Sequence, residues 1–131
     1  MRGEFDCRSL QKPPSRFVRA VAFSQSVFQP KTEQDAVLQV FKILNNFDIP
    51  KGSARDGEKD ANGNIQADYT LWTGASDLKA KRYFFRTYDN SQIRSVDLMN
   101  MNIDGKDIVK VSINDDEAIK DITPAPHDQK Q

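Results

Sequence analysis

Apolar residues along the chain follow two periods. Between Asp35 and Leu44 they fall at Ala36, Val37, Val40, Phe41 and Leu44, one stripe at helical spacing. Thr32 is placed to cap that helix, and Glu33 and Asp35 suit the positive end of its dipole. Asn45-Asn46, ahead of Ile49-Pro50, should end it. Upstream, Arg16-Phe-Val-Arg-Ala-Val-Ala-Phe is a short apolar run whose period does not separate helix from buried strand. Pro13-Pro14 ahead of it, with Ser15 as capping residue, favours helix. On a helix, Arg16 and Arg19 share one face.

Downstream the period falls to two. Tyr69–Ser76 is rich in β-branched and aromatic residues, Asp77–Lys81 is a short polar turn, and Arg82–Tyr88 completes a hairpin. Along the second strand Tyr83, Phe85 and Thr87 face one way, and Arg82, Phe84, Arg86 and Tyr88 the other. Rings on both faces call for cover on both. Asp89-Asn90-Ser91 turns the chain into a third strand, Ile93–Leu98, and the alternation over Lys106–Ile113 predicts a fourth, peripheral one. Lys51–Gln66 is polar, with Gly52, Gly57 and Gly63, and reads as a surface loop. Residues 1–12 show no period and should be loosely held, and 123–131, with Pro124 and Pro126, should fray. Residues 13–122 then form one unit of α+β class, with helices packed on one face of an antiparallel sheet. Nothing in the sequence supplies cover for the other face.

Composition narrows the function classes. A chain of 131 residues suits one domain. Lys plus Arg and Asp plus Glu number 19 each, so net charge gives no push toward nucleic acid or an anionic membrane. The aromatic and basic interleaving from Lys79 to Arg94 has the look of a base-stacking platform. A hairpin with rings in the core and cations snorkelling outward accounts for it as well. No apolar run nears the ~18 residues of a membrane span, and Met1–Phe5 has no apolar leader, so neither membrane nor secretory signal is expected. A hydrophobic fraction of 37% with mean hydropathy −0.69 is polar for a compact domain. Either the ends are disordered or the core is completed from elsewhere.

Candidate chemistry is sparse. Cys7 is the single cysteine and His127 the single histidine, near opposite ends, so no disulfide and no metal-ligand cluster is expected. No G-x-S-x-G, P-loop or G-x-G-x-x-G occurs, and no cofactor is expected. Arg16, beside Phe17 and Val18 at the head of an apolar segment, should be partly buried and so should have a partner. It forms either a structural salt bridge or a forked contact that orients a nucleophile or a substrate carboxylate.

Three stretches, in order, carry a resemblance: PSRFVRAVAF from Pro14, DAVLQVFKILNNFDIPKG from Asp35, and ADYTLWTGASDLKAKRYFFRTYDNSQIRSVDL from Ala67. Residues 13–98 thereby resemble the choloylglycine hydrolase and penicillin V acylase family, linear amide C–N hydrolases of the N-terminal-nucleophile (Ntn) class. The resemblance implies an αββα sandwich, of which this chain is similar to the C-terminal third. It implies a small-molecule amide substrate of bile-salt, penicillin V or N-acyl type, a cytoplasmic or periplasmic bacterial protein, and no cofactor. In the family a cysteine opening the mature chain attacks the carbonyl, with its own α-amino group as base. Cys7 is internal and its surroundings, GEFDCRSLQK, do not match that start. The family's nucleophile is therefore not assigned to Cys7. The family also has an arginine in Ser-Arg-Phe-Val-Arg that orders the nucleophile; it maps to Arg16, with Arg19 the alternative. The chain alone is then expected to be inactive, and its open sheet face to need a missing N-terminal part or a homo-oligomer.

Overall fold

The computed structural model describes residues 12–123. Cys7, His127 and the expectations for both ends lie outside the described residues.

Helix α1 is Pro13–Ser26. Proline at the first helical position has its φ preset and no N–H to satisfy. The cap position therefore falls to Lys12, with no side-chain cap, and Ser15 sits inside the first turn rather than capping it as the sequence suggests. Helix α2, Glu33–Leu44, starts as its sequence dictates: Thr32 Oγ1 accepts from Asp35 N at 3.1 Å, with Glu33 and Asp35 in the first turn. It tightens into a 3-10 turn, Asn45–Phe47, and Asp48 leaves in extended conformation.

Between the helices and the sheet stands a hairpin, β1 Ala54–Lys59 with β2 Ile65–Asp68, antiparallel and irregular in register between Arg55 and Lys59. This corrects the loop expected over Lys51–Gln66. The Asp60 carboxylate accepts from Asn62 N and Asn64 N, both at 2.9 Å, and Gly63 takes φ +83° in the turn. A hairpin with neither face buried needs no apolar alternation, so the pattern that betrays strands is missing from it.

The main sheet has order β3-β4-β5, all antiparallel: β3 Trp72–Asp77, β4 Arg82–Thr87, β5 Arg94–Asp97. Gly74 pairs with Phe85 and Ala75 with Phe84, while Val96 pairs with Tyr83 and Arg94 with Phe85. The expected division of faces along β4 holds. Arg82, Phe84 and Arg86 face α2: Arg82 Nη1 meets Glu33 Oε1 at 2.8 Å, and Arg86 lies over the ring of Phe41, which at 3% exposure is the most buried apolar residue. On the other face Tyr83 and Phe85 stack, with ring centroids 6.1 Å apart, and Tyr83 reaches across Gly74 toward Trp72. Among the described residues no helix covers that face.

Lys106–Ile113 is extended and exposed but is not a strand, contrary to its alternating pattern. Alternation supplies the two faces; a strand also needs ladder hydrogen bonds to a neighbour, and here they are unmade.

Candidate functional site

The segment Asn46–Lys51 joins the helices to the sheet, and both layers bond to it. Its carbonyls at Asn46 and Phe47 end the α2 helical path and lack intrahelical partners, so they present partial negative charge. Two cations of α1 answer it. Arg16 Nη1 donates to Phe47 O at 3.0 Å and Arg19 Nη1 to Asn46 O at 3.1 Å. Both guanidinium carbons lie 5.2 Å from the Phe47 ring centroid. The shared helix face read from the sequence is thus real, and both candidate arginines use it on the same turn. Arg16 is part-buried as expected. Among the described residues its partners are a carbonyl and a ring, not the carboxylate of a salt bridge.

From the sheet side, Arg86 forms an ion pair with Asp48, and Thr73 Oγ1 donates to the same carboxylate at 3.3 Å. The Arg86 side chain is 14% exposed, so this pair is shielded better than a surface one. Ile49 N donates to Thr70 Oγ1 at 2.9 Å, Thr70 N to Ile49 O at 3.1 Å, and Lys51 N to Tyr88 Oη at 3.1 Å. An open cleft of ≈ 290 Å³ runs beside the joint, lined by Asp48, Pro50, Trp72, Arg86 and Tyr88 among others.

Chemically, this arrangement fixes a guanidinium through one of its nitrogens and leaves its other donors to meet an acceptor. The described residues contain neither cysteine nor histidine, and none of their acidic clusters could hold a metal ion. Phe47, Asp48 and Arg86 complete the joint and were not singled out by the sequence. Arg86 could have been found as the second arginine on the helix-facing side of β4. Phe47 gave no signal, because its role depends on where α1 crosses the end of α2.

The family model of the linear amide C–N hydrolases, choloylglycine hydrolase family, matches residues 10–111. The chain belongs to that family. The bile salt hydrolase/transferase of Clostridium perfringens is 29% identical over 102 residues, 78% of this chain and 29% of the relative. That of Lactiplantibacillus plantarum is 34% identical over 97 residues, 72% of this chain and 28% of the relative. The crystal structure of conjugated bile acid hydrolase from Clostridium perfringens matches with TM-score 0.62 at 26% identity, over 86% of this chain and 32% of that one. The fold is therefore the α+β fold of an Ntn hydrolase, helices on antiparallel sheet, and the chain spans about a third or less of the length of these relatives.

Proposed function

We propose that this chain is the C-terminal portion of an amidase that hydrolyses linear amide C–N bonds of bile-salt, penicillin V or N-acyl type. In this reading Arg16 orders a cysteine nucleophile carried by another part of the protein, with Arg19 the alternative. The observation that carries the reading is the tethering of Arg16: one nitrogen on Phe47 O, the plane against the Phe47 ring, the remaining donors uncommitted among the described residues. A guanidinium ordered in advance suits the alignment of a nucleophile, where small displacements are costly. Arg19 occupies a similar place with a more exposed hydrogen bond, which ranks it second.

The chain on its own is proposed to be inactive, since Cys7 is internal and no base accompanies it. Purified chain incubated with taurine- or glycine-conjugated bile salts and with penicillin V should show no turnover above buffer. Turnover that disappears on Arg16→Ala would refute the proposed inactivity. In the full-length protein Arg16→Ala should lower kcat/KM by about 100-fold, with Arg19→Ala milder; the reverse order moves the role to Arg19.

A second reading, a non-catalytic module that needs a partner chain, is favoured by the exposure of Phe17 at 70% and of Trp72 on the uncovered sheet face. Size-exclusion chromatography with a hydrophobic dye separates the two. Self-association or strong dye binding supports the need for a partner, and a compact monomer that leaves the dye dark argues against it.

A further inference from the structure

Strand β5 is an edge of the main sheet, and among the described residues no strand pairs with its outer side. Such an edge is a template for any extended chain. The polypeptide itself returns beside it. Arg94 Nη1 donates to Ile113 O at 3.0 Å, Ser91 N to Glu117 Oε2 at 3.0 Å, and Glu117 N to Asp89 O at 3.2 Å. Asn90 Nδ2 reaches Asp115 Oδ2 at 3.5 Å. Later residues of the segment sit beside earlier residues of the strand, so the two run antiparallel.

The face is marked as well. Arg94, which holds the Ile113 carbonyl, lies 4.8 Å over the Phe85 ring and donates to Thr87 Oγ1 at 3.2 Å. Ile113 is thereby drawn to the Tyr83–Phe85 side of the sheet, away from α2. Its exposure is 40%, against 70% for both Val109 and Val111.

We propose that Val109–Ile113 is the fourth strand of this sheet, closing the β5 edge with Ile113 beside Arg94 and Val111 beside Val96. In that register Val109, Val111 and Ile113 join Tyr83 and Phe85 on one face, and Lys110 and Ser112 emerge on the other. The irregular turn Asp89–Gln92 takes up the single residue by which Glu117 is offset from it. A slip of one residue would turn the three aliphatic side chains to the Ser95 and Asp97 side. The strand has two effects. It denies the β5 edge to a foreign strand or a second copy, and it widens the apolar face available to a second layer.

Paired cysteines test both register and occupant, with Cys7→Ser removing the native thiol. Directly opposed strand positions have the Cα separation a disulfide needs. Under mild oxidation Val96→Cys/Val111→Cys should close within one chain about tenfold faster than Ser95→Cys/Val111→Cys. Faster closure of the second pair overturns the register, and crosslinks between chains overturn the occupant in favour of a second copy. On the unsubstituted chain, amides in 109–113 should exchange about tenfold more slowly than those in 119–123 after correction for intrinsic rates. Equal rates would overturn the strand itself.

Discussion

Tyr83 lies across Gly74: a Cβ built on Gly74 would sit 2.2 Å from the Tyr83 hydroxyl oxygen and 2.8 Å from its ring carbon Cζ. The two are one step off direct opposition, since Tyr83 pairs with Ser76 and Gly74 with Phe85. An aromatic ring closing over a glycine on an edge strand supplies the packing that the missing side chain cannot. Gly74→Ala should force the ring aside and lower stability by about 1–3 kcal/mol. Urea denaturation followed by Tyr or Trp fluorescence measures this, and an unchanged midpoint refutes it.

Phe47 is held by two guanidinium groups at once. Phe47→Leu keeps the backbone carbonyl that Arg16 uses but removes the ring under both cations. The loss should be about 1 kcal/mol, and Phe47→Tyr should restore most of it. If leucine and tyrosine behave alike, the ring is only filling space.

Asn90 is the one buried polar residue of the main sheet's connections, at 3% exposure, and its Oδ1 accepts from Gln92 N at 2.9 Å. Asn90→Ala strands that donor at a site poor in water and should cost about 1–3 kcal/mol. It should also loosen the segment that Asp115 and Glu117 anchor. Thermal unfolding together with proteolysis after Lys110 reads both effects; stability equal to the parent rules the account out.

The Asp97 carboxylate is held below the ordinary carboxylate range, first by the Met99 backbone N–H and then by Arg82. A carboxyl group whose pKa is depressed on folding adds stability above its unfolded value, and that stability is lost as pH falls through the folded one. The window therefore opens near 3.8 and extends downward. Asp97→Asn should flatten the acid limb of the stability curve there and leave its shape above pH 5 unchanged. Parallel acid limbs for the two proteins would show that Asp97 is not the titrating group.

What the sequence disclosed depended on whether a residue's task was local. The stripe from Ala36 to Leu44 and the Thr32 cap are encoded within one helix, and both stand in the structure. The alternation of Tyr83 and Phe85 against Arg82 and Phe84 likewise predicted two faces with different surroundings. The β1–β2 hairpin was missed because its order comes from Asp60 and the turn glycines rather than from burial. Lys106–Ile113 misled for the opposite reason: its pattern suits a strand, but pairing is not a property of one segment. Arg16 and Arg19 were legible as a pair, while Phe47, the ring that receives them, follows from the crossing of two elements and leaves no mark in spacing.

The double bond between Ile49 and Thr70 has a consequence for how this region can change. It pinches the chain shut at the base of the β1–β2 hairpin, so everything between is an appendage hung from a closed loop. Lengthening, trimming or grafting at that tip alters only the entropy of a loop whose ends are already joined, a cost that grows slowly with length. The joint that carries Arg16 does not feel the change, which makes the hairpin the natural place to attach a reporter without disturbing the rest.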